Sequence, residues 1–249
     1  MSGSSPIPAP DPLAEALLEN QQLRQQLSQS AEQLQRFLYA AGHDLQEPLR
    51  GIITYAQLLE RQSASESTNR EYTTFILSSA LRMRELLQQI LVYSRAGAAA
   101  KQRKVINLNV PLQMALMNLA PQITASGAKV SRGSPLPDVI GDENEVSQVF
   151  QHILGNSLKF RSAEPLEILI GAEKGSDECR ISVRDNGLGI DPRFCEQAIL
   201  PFKRLHSSEV AGNGLGLAIC DKLVRANQGR LWVESDGSRG TTVFFTLPV

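Results

Sequence analysis

Leu13, Leu17, Leu27, Leu34 and Leu38 fall on one alternating three- and four-residue register, which is the seam of a helix that packs along another helix. Asn20 and Arg24 interrupt the seam, so it suits either a dimeric coiled coil or an amphipathic helix docked on its own domain. Helical character continues through Phe37 to about Arg61, with Pro48 as the only breaker and Gly42 as a weak point. The stretch Ser63 to Thr68 reads as a turn with capping residues, and a second helix then carries Tyr72, Ile76, Met83, Leu86, Ile90 and Tyr93 toward one side. Two long helices on a short loop make an antiparallel hairpin. One such hairpin has a thin core, and pairing with a second copy into a four-helix bundle covers the apolar stripes.

Ala96 to Ala100 (A-G-A-A-A) reads as a hinge, followed by the basic cluster Lys101, Arg103 and Lys104. From about Val105 the pattern becomes a mixture of short strands and helices. Short strands are expected at 128–131 and 137–140. A helix is expected at 143–160, through Val146, Val149, Phe150, Ile153 and Leu154. Strands at 166–173 and 179–184 flank a Lys174 to Asp177 turn, a helix covers 215–226, and strands at 230–234 and 242–247 close the chain. A mixed sheet with helices on one face is a two-layer α/β sandwich. The expected organisation is a disordered N-terminus at 1–12, a coiled coil and helical hairpin at 13–96, a linker at 97–104 and an α/β domain at 105–249.

At 249 residues the chain has room for two modest domains, and its net charge of −1 gives no general attraction for polyanions, which argues against nucleic acid as the main partner. Cys179, Cys195 and Cys220 are odd in number and lack metal-ligand spacing, so neither a disulfide framework nor a zinc site is indicated. The polar, Pro-rich start is not a signal peptide, and no segment approaches the ~18 apolar residues of a membrane span. A cytoplasmic protein is expected.

Five short motifs follow one another. His43-Asp-Leu-Gln-Glu-Pro-Leu-Arg50 places an acid beside a helical histidine. A lone helical histidine is usually structural, but imidazole is a good nucleophile when one ring nitrogen is free and the other is held, and Asp44 is placed to hold it. In Gln148 to Phe160, Asn156 and Lys159 share a helix face with His152. A carboxamide oxygen suits Mg²⁺ and an ammonium suits phosphate, although a solvated polar face has the same pattern. Val183-Arg-Asp-Asn-Gly-Leu-Gly-Ile190 runs a strand into a loop. That segment is an ordinary turn, or else Asp185 accepts from the exocyclic amine of adenine while Gly187 and Gly189 let the backbone approach the base. Pro201-Phe-Lys-Arg-Leu-His206 is a surface helix end, or else a lid anchored by Phe202 with Arg204 offered to a phosphate. Gly212-Asn-Gly-Leu-Gly-Leu-Ala218 opens a helix whose free N–H groups converge, and it is neither a Walker loop nor a dinucleotide fingerprint.

In this order and spacing the motifs resemble the H, N, first G, F and second G boxes of sensor histidine kinases, most nearly the phytochrome-type branch with its H-D-L-Q-E-P-L-R and F-K-R-L-H signatures, over roughly residues 31–249. The resemblance implies a dimeric histidine-phosphotransfer hairpin followed by an ATP-binding domain of the Bergerat (GHKL) type. It implies that His43 is the phosphoacceptor, Asp44 its orienting acid and base, Asn156 the Mg²⁺ ligand and Lys159 a phosphate contact. Asp185 would read adenine. Phe160, Gly187, Gly189, Arg204, Gly212, Gly214, Leu215, Gly216 and Leu217 would complete the ATP pocket. The implied partners are a second copy of the chain and a response regulator receiver domain, with no membrane span.

Three residues depart from the family pattern. His152 stands where asparagine is usual, Ile199 replaces the first aromatic of the F box, and Glu47 stands four residues after His43 where strong phosphatases carry Thr or Asn. Weak phosphatase activity toward the partner is therefore expected. Only about forty residues precede His43, too few for an ordinary sensory domain, so the signal comes from a separate sensor protein or the chain is a fragment. Two other functions fit parts of the pattern. One is a phosphotransfer scaffold that has lost ATP turnover, and the other is a GHKL ATPase of the chaperone, topoisomerase or mismatch-repair type. The kinase reading requires an adenine-sized cavity beside Asp185 and Asn156 and an accessible imidazole at His43.

Overall fold

The leucine register and the hairpin pattern correspond to two long helices, α1 (Pro12–Arg61) and α2 (Glu66–Arg95). The computed structural model describes residues 12–61, 66–96, 103–133, 135–205 and 213–249. Pro12 opens α1 and Glu66, Ser67 and Thr68 belong to α2, while residues 1–11 of the expected disordered start, residues 63–65 of the expected Ser63 to Thr68 turn, and the hinge beyond Ala96 lie outside the described residues. So do the side chains of Leu13, Leu17 and Leu27. The chain divides into two compact units, Met1–Gln46 and Glu47–Val249.

In the first unit, Leu34 and Leu38 are exposed and Ala41 is buried. In the second unit, Leu86 is buried, and Tyr72, Ile76, Met83, Ile90 and Tyr93 are partly buried, which is the side the sequence pattern selects. Tyr55 stacks on Phe75 with ring centroids 4.6 Å apart and meets Tyr72 at 5.7 Å, so aromatic packing joins the end of α1 to α2. Elsewhere on its surface α2 leaves Leu77, Leu81, Leu87 and Leu91 exposed.

After α2 come β1 (Lys104–Asn107), α3 (Asn109–Asn118), α4 (Ala120–Ser126), β2 (Lys129–Arg132), β3 (Asp138–Gly141) and α5 (Glu143–Lys159). Then follow β4 (Glu167–Lys174), β5 (Glu178–Asp185), α6 (Gly216–Ala226), β6 (Leu231–Ser235) and β7 (Thr241–Pro248), with 3₁₀ turns at Pro192–Phe194 and Glu196–Ile199. β1 pairs antiparallel with β3 in a separate two-stranded sheet, and the main sheet has the order β2-β4-β5-β7-β6, antiparallel except for β2 with β4. Lys104, placed in the linker by its charge, is the first residue of β1.

Strand alternation gives the sheet its two faces. Ile168, Ile170, Cys179, Ile181, Val183, Val243, Phe245 and Leu247 point into the core, where they meet the buried side of α5 and α6. Phe150 of α5 packs edge-on to Phe245 with centroids 5.5 Å apart, and burying each ring contributes ~1.5–3 kcal/mol. The outer face carries a Trp232–Phe244 stack at 5.1 Å with the guanidinium groups of Arg180 and Arg230 over the rings.

One buried polar cluster sets the two large helices against each other. Asn227, just after α6, donates from Nδ2 to Glu145 Oε2 at 2.8 Å and to the Leu223 carbonyl at 2.8 Å, and its Oδ1 accepts from the Asp142 N–H at 2.8 Å. Asp142 caps α5 by accepting from the N–H groups of Asn144 and Glu145, both at 3.0 Å. The start of α5 is therefore tied to the end of α6, and the same two helices form walls of the cleft described next.

Candidate functional site

β5 ends at Asp185, and its carboxylate is held by three donors. Oδ1 accepts from the N–H groups of Gly187 at 2.9 Å and Thr241 at 3.0 Å, and Oδ2 accepts from the Ser157 hydroxyl at 2.8 Å. Each bond fixes the carboxylate orientation and leaves few lone-pair directions open. Gly187 is required here by close approach, since a Cβ at this position would lie 2.5 Å from the Phe160 carbonyl oxygen. That carbonyl accepts the Leu188 N–H at 2.9 Å, which lays the 185–190 loop across the end of α5.

Asp185 borders a cavity of about 340 Å³, large enough for a nucleotide base and sugar. From α5 come His152, Asn156, Lys159 and Phe160, from the 185–190 loop Gly189 and Ile190, and from the opening of α6 Asn213, Gly214, Leu215, Gly216 and Leu217. Lys203 and Arg204 reach it from the segment before residue 206, and Glu85 and Gln89 reach it from α2. Lys222 of α6 donates to the Tyr93 carbonyl at 2.9 Å with its ammonium over the tyrosine ring, which links α2 to α6.

The cavity is cationic at one end. Burial lowers the pKa of Lys159, opposed by the charge of Glu85 and reinforced by that of Arg204. Its ammonium lies 4.7 Å from the Phe160 ring centroid. Burial also lowers the pKa of His152, which favours the neutral imidazole. The N-cap residue of α6, Leu215, makes no side-chain cap bond, so among the described residues that position supplies no acceptor for the first N–H groups of the helix.

Gly214 joins two of the sequence motifs. It has φ +65°, and a Cβ there would lie 2.7 Å from the Lys203 carbonyl oxygen and 2.9 Å from the Phe202 carbonyl carbon. Phe202, itself at φ 61°, donates its N–H to the Gly214 carbonyl at 2.9 Å. The cation-bearing segment is thus fastened to the loop that opens α6. Gly212 and His206, the last residue of the expected lid, lie outside the described residues.

Two features test the fit of a magnesium-bound nucleotide. Asn213 Nδ2 is buried with no hydrogen-bond partner among the described residues, a donor awaiting an acceptor. At Gly216, a Cβ would sit 3.6 Å from both amide atoms of Asn156 and 3.9 Å from His152 Nδ1, so a polar-walled space opens where a side chain would otherwise stand. These donors and acceptors fit the polyphosphate and cation of such a nucleotide.

His43 and Asp44 form a group of their own on α1, in the first unit. The imidazole is 72% exposed, and its Nδ1 lies 3.3 Å from Asp44 Oδ1.

The predicted residues Asn156, Lys159, Phe160, Asp185, Gly189, Arg204, Gly214, Leu215, Gly216 and Leu217 all line the cavity, whereas Gly187 does not line it and packs against two residues that do, Phe160 and Asp185. Sequence reasoning missed Ser157, Thr241, Asn213, Glu85 and Gln89. Ser157 is adjacent to Asn156 in the motif, but its partner is 28 residues away, and the bond from Thr241 spans 56 residues.

Residues 141–249 match the family of histidine kinase-, DNA gyrase B- and HSP90-like ATPases, and residues 33–99 match the His Kinase A (phospho-acceptor) domain. Over 231 residues the chain is 41% identical to cyanobacterial phytochrome A of Nostoc sp. (strain PCC 7120), covering 92% of this chain and 30% of that protein. It is 36% identical to the phytochrome-like protein Cph1 of Synechocystis sp. (strain PCC 6803), covering 92% of this chain and 31% of that one. The chain therefore spans less than a third of the length of these relatives. Among solved structures, full-length ShkA in complex with AMPPNP is similar with a TM-score of 0.59 and 26% identity, covering 86% of this chain and 45% of ShkA. Histidine kinase ThkA in complex with response regulator protein TrrA has a TM-score of 0.67 over 94% of this chain and 66% of ThkA, and at 21% identity this likeness is one of fold.

Proposed function

Because the chain belongs to the histidine kinases, of the phytochrome type, we propose that it transfers the γ-phosphoryl group of ATP to its own His43 and passes it to an aspartate of a response regulator receiver domain. The observation that carries this reading is the state of His43, an exposed imidazole with one ring nitrogen turned toward Asp44. With the proton held on Nδ1 by that carboxylate, Nε2 keeps its lone pair for phosphorus. The new bond is N–P, the bond broken is that between the γ-phosphorus and the oxygen bridging to the β-phosphate, and ADP leaves. Asp44 offsets the positive charge that develops on the ring.

In this reading Asp185 accepts from the exocyclic amine of adenine, and Asn156 holds Mg²⁺, which supplies charge neutralisation along the triphosphate. Lys159, Arg204 and the N–H groups at the start of α6 bind phosphate oxygens, with Gly212 completing the loop. Residues 13–96 serve dimerisation and phosphotransfer, 97–103 the hinge and 104–249, which begin with β1, nucleotide binding. The exposed leucines of α2 support a homodimer, since a second copy would remove them from water. The reading places the chain in the cytoplasm, where ATP and receiver domains are found. A GHKL ATPase of another type has no need of the His43–Asp44 pair.

Incubation with γ-labelled Mg·ATP tests the proposal. The chain should acquire acid-labile, base-stable label that moves to a receiver domain and is absent in His43→Ala. ATP hydrolysis unaffected by His43→Ala, with no protein label, would favour the ATPase reading instead.

A further inference from the structure

His152 and Asn156 stand one turn apart on α5, and both face the cavity. Their polar ends converge on one place, with His152 Nδ1 at 3.9 Å and both amide atoms of Asn156 at 3.6 Å from the point a Cβ of Gly216 would occupy. That space lies at the opening of α6, where the first N–H groups of the helix, without a side-chain cap from Leu215, favour the anionic end of a nucleotide. We infer that His152 is a second protein ligand of the cation carried by the nucleotide, donating through Nδ1 beside the amide oxygen of Asn156, and that it shifts the cation preference of the site from Mg²⁺ toward Mn²⁺. The inference rests on the nucleotide reading above and deepens it.

The chemistry follows from the donor types. Mg²⁺ prefers oxygen ligands in a near-ideal octahedron and gives up water reluctantly, whereas Mn²⁺ takes the same oxygen ligands but, as a first-row transition ion, tolerates an added nitrogen donor better than Mg²⁺ does. An amide oxygen alone is matched to Mg²⁺. Adding an imidazole one turn away gives a mixed nitrogen and oxygen set that Mn²⁺ accepts more readily. Two protein donors are too few to hold a free cation, and among the described residues no cluster of three or more His, Cys, Asp or Glu side chains forms a metal site. The nucleotide phosphates must therefore complete the coordination, so cation and nucleotide should bind together.

Pulsed electron paramagnetic resonance on the full chain, grown with ¹⁵N-histidine and saturated with Mn²⁺·ADP, reads the contact directly. A directly bonded ¹⁵N coupling is expected in the wild type and in His43→Ala, and it should be absent in His152→Asn, which still binds Mn²⁺·ADP. The ratio of ADP affinities in Mn²⁺ and Mg²⁺ should fall about tenfold in His152→Asn, equal to ~1.4 kcal/mol. Bound Mn²⁺·ADP without histidine coupling in the wild type, or coupling that survives in His152→Asn, overturns the inference and leaves the nucleotide reading standing. Failure of the wild type to bind Mn²⁺·ADP at all overturns both.

Discussion

The Ser157 hydroxyl donates to Asp185 Oδ2 at 2.8 Å, joining the inner side of α5 to the last residue of β5. Ser157 is buried, and its neighbour Asn156 faces the cavity, so one turn of helix both fixes the carboxylate and presents an amide to the ligand space. Replacing Ser157 by Ala leaves Oδ2 without that donor and frees the carboxylate to rotate. ADP affinity should fall by about tenfold, the equivalent of ~1.4 kcal/mol, while Asp185→Asn, which puts an amide where an acceptor is needed, should fall further. Isothermal titration of both variants with ADP checks the order.

Asn227 satisfies a buried carboxylate, a backbone N–H and a carbonyl at once. Asn227→Ala strands Glu145 at 2% exposure with one donor fewer. The expected loss is ~2–3 kcal/mol of stability, with ADP binding weakened only through the altered α5–α6 geometry. Chemical denaturation of residues 105–249 within the full chain, followed by Trp232 fluorescence, measures it.

Gly214→Ala combines a positive φ with a Cβ placed 2.7 Å from a carbonyl oxygen. The loop must shift to admit it, and the segment that carries Lys203 and Arg204 shifts with it. Nucleotide affinity should drop sharply with little change in the unfolding midpoint of the sheet, since the residues that move lie at the cavity mouth. Parallel binding and thermal melts separate these two effects.

The lowered pKa of His152 gives a pH signature of defined sign. Burial holds the folded-state value below the ordinary 6.5, so the unfolded chain binds the proton first as pH falls. The neutral imidazole's contribution is fully present above 6.5 and is lost as pH drops from there through the folded value. His152→Gln should flatten the stability profile on the acid side of 6.5 and leave it unchanged at pH 8, which urea melts across that range will show.

Glu47 lies one helical turn beyond His43 and is exposed. A carboxylate there repels the anionic phosphoryl group of an aspartyl phosphate, whereas a neutral threonine hydroxyl can approach it and orient the attacking water. Glu47→Thr should therefore dephosphorylate the phosphorylated receiver faster than the wild type in a single-turnover assay. An unchanged rate counts against the weak-phosphatase expectation.

The sequence was informative wherever a local pattern set the structure. α5 is readable because Asp142 caps it and its apolar residues recur with the helical period. β4 and β5 alternate around a turn at Lys174 to Asp177. The same holds for α2, whose buried side is the one its periodicity selects. α3 and α4 were not legible, because Val110 to Pro121 is nearly uniform in apolar character and carries Pro111 and Pro121, which read as breaks although each opens a helix. β1 was hidden by its length of four residues and its charged start, and it is held by pairing with β3, more than thirty residues later.

In the site, motif residues that face the cavity could be picked out because their chemistry is unusual for a surface. The residues that hold Asp185 could not, because a serine beside an asparagine and a threonine after a glycine are ordinary until the sheet register brings Thr242 opposite Arg184. Glu85 and Gln89 carry no motif at all, and only the packing of α2 brings them to the cavity.

Where the phosphoryl group lands decides the account. After brief incubation of the chain with Mg·ATP at mildly alkaline pH, peptide mass spectrometry should find the added phosphate on the imidazole of His43 and on neither of the other two histidines, His152 and His206. Phosphate on another residue, or none on a chain that demonstrably binds ATP, would contradict it.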